Sequence, residues 1–465
     1  MFSLNKAEIS DALDWAEKFK SDRSKITNVL QKAARHKGLN YREASLLLAG
    51  AEDTELFALA NEIKQRFYGS RIVLFAPIYL SNHCVNTCTY CPFHAANRDM
   101  PRRKLSQEEI KTQVRALLDM GHKRVVIEAG DHPSHSTMDY ITESIETIYG
   151  VRHKNSAIRR INVNTGAASI EDYAKLKSAN IGTYTLFQET YDRTRYEEVH
   201  PGNAPKSSYD RQLEAMDRAM QGGLDDVGMG VLFGLSDYRF EIAALLSHAE
   251  YLEGAYGAGP HTISVPRIRK AEGVRDEFND GINERTLLRI VATIRIAAPY
   301  TGIIASTREN SDTRAKMLAA GVSQISGGSR TSVGGYSERE ASENIQNRTK
   351  SEQFETHDNR TLGEVVNWLM ENGHIPSFCT SCYREGRTGD RFMQLCKSGQ
   401  IQNYCQPNAL LTLQEYLLDY PNNQRTTQGE AIIAQELEKI ANPTTKTRTT
   451  KNLKKINSGT RNLTI

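Results

Sequence analysis

Cys84, Cys88 and Cys91 lie in the run SNHCVNTCTYCPFHAANRDM. Cysteine thiolates hold iron–sulfur clusters, and a closed cubane takes four of them. Three leave one iron open to a ligand that is not protein. The competing reading is a zinc site, with His83 or His94 completing a Cys3His set, or a group of structural cysteines. The other four cysteines form a second clump, Cys379, Cys382, Cys396 and Cys405, and none lies between Cys91 and Cys379. Clumping of this kind in a chain read as cytosolic points to two metal centres rather than to disulfides. With Cys396 set aside, Cys379-x2-Cys382-x22-Cys405 is again three thiolates. A zinc knuckle with Cys396 as fourth ligand is the alternative, although zinc pairs usually stand closer together than Cys396 and Cys405.

These loops need elements to position them. Hydrophobic residues make up 39% of the 465, ordinary for a globular protein, and the net charge of +3 excludes a nucleic-acid binder on electrostatic grounds. No run approaches the ~18 apolar residues of a membrane span. The charged start, MFSLNKAEISDALDWAEKFK, has neither the apolar core of a secretory signal nor the acid-poor look of a transit peptide, so a cytoplasmic protein is expected. Residues 1–70 read as a helical extension, with apolar residues at helical spacing in ALDWAEKF, NVLQKAA and ELFALANEI. From residue 71 short apolar strands alternate with amphipathic helices. The strands are expected at 71–80, 123–130, 161–166, 183–189, 226–235, 261–268, 301–307 and 322–328. Regular alternation means parallel βαβ units, and eight of them over 71–330 predict a (β/α)8 barrel of the α/β class. The doubly wound open sheet competes, but its GxGxxG after the first strand is missing, and that strand runs into the cysteine loop instead. A polar connector follows at 331–360. A helix ending at Gly373 and the cysteine-rich segment make up a unit at 361–420. The remainder, 421–465, reads as a helix and a basic tail. From Asn442 on, that tail holds six Lys or Arg and no acidic residue, and is expected to be mobile.

The CxxxCxxC spacing, with aromatic Tyr90 just before the third cysteine, resembles the cluster loop of the radical S-adenosylmethionine (SAM) enzymes. The resemblance implies a [4Fe–4S] cluster whose open iron chelates SAM. Reduction then splits SAM to a 5′-deoxyadenosyl radical, and the cofactor supplies the hard chemistry. In a barrel such a site sits at the C-terminal ends of the strands, where the Cys84 loop leaves strand one. On that expectation Glu128, Ala129 and Gly130, ending strand two, meet the methionine part of SAM. Glu189, ending strand four, hydrogen-bonds the ribose or the sulfonium end, and Arg211 pairs with the carboxylate. Gly230 on strand five, with Gly234, leaves room for adenine, and Tyr90 stacks on it. Read without the family, Glu189 and Arg211 are surface charges near strand ends.

Four features together look like the HydG-type maturases of [FeFe]-hydrogenase, a radical SAM tyrosine lyase family. They are the CxxxCxYC loop, GPHTISVPRI, SQISGGSRT and the terminal CxxCYRxGRTGxxFM with its distant third cysteine. The likeness spans roughly residues 70–412. The related 2-iminoacetate synthase shares the tyrosine cleavage and the barrel but lacks the second triplet. The resemblance implies cleavage of L-tyrosine at Cα–Cβ to p-cresol and dehydroglycine, with dehydroglycine converted to CO and cyanide. That conversion takes place at a second [4Fe–4S] cluster on Cys379, Cys382 and Cys405, joined to a labile fifth iron through a free cysteine. His261 falls on the family's ligand to the fifth iron. As a residue it starts strand six, hence lies at the mouth opposite the SAM site. The implied partners are reduced ferredoxin or flavodoxin as electron donor, other hydrogenase maturases and the apo-hydrogenase, with neither nucleic acid nor membrane. Ser329 and Arg330, past strand eight, are placed to grip the tyrosine carboxylate, with Arg308 the competing arginine. Asn162, Asn164, Ser264 and Gln324, polar residues on strands, are candidate lining for a passage between the two centres. No side chain is needed as radical initiator. Pro92 stands where many superfamily members have Gly, and Cys396 has no assigned role. A 2-iminoacetate synthase-like enzyme and a non-catalytic iron–sulfur or zinc carrier are the alternatives.

Overall fold

The computed structural model describes residues 1–269, 274, 282–337 and 351–465. Eight parallel strands close into a barrel. They are β1 (Arg71–Ser81), β2 (Arg124–Ala129), β3 (Arg160–Asn164), β4 (Tyr184–Thr185), β5 (Val227–Gly230), β6 (Thr262–Ser264), β7 (Gly302–Ala305) and β8 (Gln324–Ser326). Each pairs with the next, and β1 pairs with both β2 and β8, which closes the sheet and excludes the open doubly wound alternative. Helices fill the crossovers where the 3.6-residue pattern put them, among them Gln107–Met120, Met138–Gly150, Ile170–Ser178, Glu284–Ala297 and Ser311–Ala320. Ser106, Thr137, Ser169, Asn283 and Asn310 cap these five, each accepting a backbone N–H of the first turn. A cap of this kind is worth about 1 kcal/mol.

The period of two along β1 explains how the barrel carries a site. Ile72, Leu74, Ala76, Ile78 and Leu80 join the hydrophobic core, while the alternate residues Arg71, Val73, Phe75, Pro77 and Tyr79 line interior cavities. The usual barrel interior is packed solid with branched side chains. Here the inward positions include Arg124, Asn162, Asn164, Ser264, Gln324 and Ser326, which face open space.

Four helices precede the barrel, Lys6–Phe19, Arg23–Ala33, Tyr41–Gly50 and Asp53–Tyr68, as the periodicity predicts. After it, helix Leu362–Glu371 is closed by a capping box of Thr361 and Glu364, and Gly373 follows in the left-handed region at φ 74°. The chain then adds β9 (Ile375–Ser377) beside the start of β1, with Arg71 opposite Ile375. Helix Gln402–Asp419 packs Tyr416 so close to Gly121 that a Cβ there would lie 2.4 Å from the ring.

The basic tail is folded against the rest of the chain. It forms helix Pro443–Asn457, which buries Thr449, Asn452 and Ile456. Ile456 and Ile465 pack on Leu411, and Ile465 N–H donates to Asn408 Oδ1 at 2.9 Å. Residues 449, 452 and 456 stand at helical spacing, so a narrow buried stripe exists that the charge run obscured. The connector is described only for 331–337 and 351–360; the rest of that expectation lies outside the described residues. Its second part is tied over the barrel: Gln353 N–H donates to Thr331 O at 3.0 Å and His357 N–H to Thr307 O at 2.8 Å. Among the described residues no helix is long and apolar enough to cross a membrane.

Candidate active site and a second thiol centre

The loop leaving β1 is fixed by its own backbone and by one arginine. Val85 N–H donates to Asp131 O at 2.8 Å, and Ala95 N–H to Asn86 O at 2.8 Å. The Arg102 guanidinium donates to the carbonyls of Asn82, Phe93, His94 and Asn97, at 2.7 to 3.1 Å. So held, Cys84, Cys88 and Cys91 line a cavity of about 250 Å³ at the C-terminal mouth of the barrel. Burial pushes all three thiols up, Cys88 to about 11 and Cys91 to about 12, and Lys206 is a cation that opposes this at each. Among the described residues no three His, Cys, Asp or Glu converge on a single-ion site. The three thiols therefore share one open cavity without converging on a single point.

Tyr90, Glu128, Ala129, Gly130, Glu189 and Arg211 all line this cavity. Their local engagements sharpen the expectation. Tyr90 OH bonds His200 Nε2 at 2.7 Å, which leaves the ring face beside the cavity. Glu128 reaches the wall from the end of β2, and burial lifts its carboxyl to about 8 against the pull of Asn164. Gly130 is required by the loop itself, since a Cβ would stand 2.4 Å from His83 O. The Glu189 carboxylate pairs with Lys206 at 2.7 Å, both side chains largely buried. Arg211 donates to Ala167 O. Gly230 departs from expectation. It does not line the cavity, because the Phe187 ring fills the space beside its Cα, 2.5 Å from where a Cβ would be, and Phe187 is the group that faces the cavity.

Several lining residues carried no sequence signal. Lys206 follows a Pro in a short 3₁₀ turn; its backbone N–H donates to Asn86 Oδ1 at 3.0 Å, and Asn86 in turn donates to Asp131 Oδ2 at 3.1 Å. Only the fold brings these three loops together. At the opposite wall the two arginines separate. Arg308 lines the cavity with its guanidinium 3.8 Å from the Phe354 ring centroid, and no hydrogen bond to that guanidinium is formed among the described residues. Arg330 is not among the lining residues; its backbone N–H donates to Tyr336 OH at 3.0 Å. Ser329 is 4% exposed, lines the cavity and has a buried hydroxyl without a partner.

The second triad sits at the other end of the barrel. β9 delivers Cys379 beside the N-terminal end of β1, helix Ser381–Arg384 carries Cys382, and helix Gln402–Asp419 carries Cys405. The three line a cavity of about 90 Å³ together with His261, Arg71, Arg124, Tyr383 and the extra thiol Cys396. Cys382 and Cys405 share a proton: Cys405 is lowered by the hydrogen bond from Cys382 and by nearby Arg71 and Arg387, and Cys382 is raised in consequence. His261 precedes β6, packs on Phe392 with ring centroids 4.8 Å apart, and leaves Nδ1 buried without a hydrogen bond, 3.6 Å from Asp226 Oδ2. His261 Nδ1 and Asp226 Oδ2 are thus both buried without a hydrogen-bond partner among the described residues. Asn162, Asn164, Ser264 and Gln324 all face the first cavity, and Gln324 faces both.

Comparison with known proteins agrees with this layout. Residues 78–246 match the Radical SAM superfamily, and residues 264–375 match the Biotin and Thiamin Synthesis associated domain. The 2-iminoacetate synthase of Escherichia coli (strain K12) is 28% identical over 369 residues, covering 78% of this chain and 93% of that enzyme. A crystal structure of HydG, a maturase of the [FeFe]-hydrogenase, superposes with a TM-score of 0.94 at 46% identity, covering 99% of both chains. HydG from Carboxydothermus hydrogenoformans superposes with a TM-score of 0.82 at 36% identity, over 97% of this chain and 100% of that one. With the likeness running through the barrel and the second thiol centre alike, this chain belongs to the HydG family of radical SAM [FeFe]-hydrogenase maturases.

Proposed function

We propose that the chain cleaves L-tyrosine at Cα–Cβ to p-cresol and dehydroglycine, and turns dehydroglycine into CO and cyanide for the hydrogenase H-cluster. One observation carries this reading: two thiol triads at opposite ends of one barrel, each with its own cavity, and polar side chains between them. Cys84, Cys88 and Cys91 would hold a [4Fe–4S] cluster. Tyr90, the Glu128–Gly130 strand end, Glu189 and Arg211 would hold SAM. When bound, this pair supplies the hydrogen-abstracting chemistry that no side chain here possesses.

The chain's own contribution is binding and exclusion. Arg308 presents an unpaired guanidinium to the cavity and suits the tyrosine carboxylate, with the Ser329 hydroxyl as a second donor. Arg330 does not line the cavity, which favours Arg308 of the two. Tyr79 and Gln353, bonded at 2.7 Å, and Phe354 form part of the cavity wall beside Arg308. The Lys206–Glu189 pair holds charge fixed beside the thiols. Asn162, Asn164, Ser264 and Gln324 offer a small polar product hydrogen bonds along the barrel axis. At the far end Cys379, Cys382 and Cys405 would hold a second [4Fe–4S] cluster, and His261, with a free cysteine, would hold a labile fifth iron. Reduced ferredoxin or flavodoxin as donor, and the other maturases and apo-hydrogenase as partners, complete the proposal.

The test is anaerobic incubation of reconstituted protein with SAM, dithionite and L-tyrosine, with p-cresol and CO assayed together. Both products are expected. p-Cresol without CO would instead point to 2-iminoacetate-type chemistry, and neither product despite SAM cleavage would refute the tyrosine assignment.

A further inference from the structure

Glu189 is one of few non-glycine residues in the left-handed region, at φ 67°, and it sits where the β4 segment turns away from the barrel. Such a conformation is held only where its surroundings over-determine it. Its carbonyl accepts from Leu232 N–H at 3.0 Å and its carboxylate meets Lys206. The next two residues are tied to a single group on another element. Glu241, in the first turn of helix Tyr238–Tyr256, accepts from Thr190 Oγ1 on one oxygen and from Tyr191 N–H at 2.7 Å on the other. It is 1% exposed. A buried carboxyl is costly unless its bonds are needed, and here both go to this turn.

The turn also seats the cysteine loop. Thr190 Oγ1 accepts from Asp192 N–H at 3.2 Å, and Asp192 caps helix Arg193–Val199 by accepting from Arg195 N–H at 3.1 Å. The end of that helix holds the loop between the second and third thiols: Val199 O accepts from Thr89 N–H at 2.9 Å, and His200 bonds Tyr90 OH. One buried group thus stands at the root of two features of the site.

We propose that Glu241 is a positioning residue that sets the aim of Glu189 toward SAM and, through the Asp192-capped helix, the seat of the cysteine loop. This rests on the reading of Glu189 as a SAM contact. Burial pushes the Glu241 carboxyl up to about 8, and in its protonated form the O–H donates to Thr190 Oγ1 while the other oxygen still accepts from Tyr191 N–H. The carboxamide of Gln reproduces that state, its oxygen accepting from Tyr191 and its amino group facing Thr190.

The test is the dissociation constant of SAM for reconstituted, unreduced protein, with iron content and thermal midpoint measured alongside, for Glu241→Ala, Glu241→Gln, Glu189→Gln and the Glu189→Gln/Glu241→Ala double variant. Glu241→Ala is expected to weaken SAM roughly tenfold and Glu241→Gln to stay within about threefold of the parent. In the Glu189→Gln background the loss from Glu241→Ala should shrink, because the part that passes through Glu189 is already gone. A lower midpoint with unchanged SAM affinity in Glu241→Ala would make the residue merely structural and overturn the proposal, as would full additivity in the double variant. A silent Glu189→Gln with a weakened Glu241→Ala would remove the Glu189 reading and the proposal's route with it. Should Glu241→Ala fail to fold, Thr190→Val removes one of the two bonds and carries the same comparison, with a loss of about threefold.

Discussion

Replacing Gly130 by Ala should separate the cysteine loop from the barrel. The new methyl would lie 2.4 Å from His83 O and 3.1 Å from the Cys84 Cβ. Ordinary contact begins near 3.4 Å, so the loop backbone must retreat by about 1 Å. Neither neighbour is the free end of a flexible side chain: His83 O is backbone, and the Cys84 Cβ is fixed to its own backbone. Overpacking of this kind costs about 1–3 kcal/mol, within reach of a folded chain. The sharper effect is geometric. Cys84 would move relative to Cys88 and Cys91, whose neighbours Thr89 and Phe93 are held by Val199 O and the Arg102 guanidinium, and a misplacement of about 1 Å costs on the order of 10²-fold in rate. The assay is iron and sulfide per chain after reconstitution, then 5′-deoxyadenosine formed with SAM and dithionite. Gly254→Ala is the control: no atom lies within 4 Å of its Cβ, it sits in a helix, and it should stabilise the chain by about 0.5–1 kcal/mol. Gly130→Ala protein with full iron content and SAM cleavage within twofold of the parent would refute the claim that this glycine seats the loop.

Three further outcomes are expected. Arg308→Met should raise the KM for tyrosine by about 10- to 100-fold, the worth of a charged hydrogen bond, while SAM cleavage without tyrosine persists and Arg330→Met changes little; steady-state p-cresol formation reads this, and equal effects of the two arginines would count against it. Cys84→Ala should abolish SAM cleavage, whereas Cys379→Ala should keep p-cresol and lose CO, so equal loss of p-cresol in both folded variants would end the division of labour between the two centres. Burial holds Glu128 at about 8 against a usual 4.5, so between those pH values the folded chain keeps a proton that the unfolded chain has released. The stability it contributes is full below about pH 4.5 and is lost as pH rises through about 8. Urea midpoints of the cluster-free protein should therefore fall more steeply from pH 5 to pH 8 in the parent than in Glu128→Gln, and parallel slopes would show that Glu128 is not held protonated.

The sequence by itself determined whatever local spacing dictates. Cysteine intervals define the two triads, and alternating periods of 2 and 3.6 define eight βα units whose order the barrel then follows. The parity of a strand also fixes which residues point inward, so Asn162 and Asn164, or Phe75, Pro77 and Tyr79, share a face by arithmetic. The tail misled because its buried stripe of Thr449, Asn452 and Ile456 is narrow and mostly polar, and a charge run masks it. What only tertiary structure decided lies in loops and at close approaches, where no period operates. Arg308 and Arg330 each follow a strand at the same mouth, yet of the two it is Arg308, packed on the ring of Phe354, that lines the cavity. Lys206 joins the site only because Asn86, 120 residues away, holds its backbone. Gly230 proved to accommodate Phe187 rather than a ligand, since a glycine announces that space is needed and not what fills it. Spacing along a chain fixes which face a residue takes within its own element; which other element meets that face is settled by packing the whole.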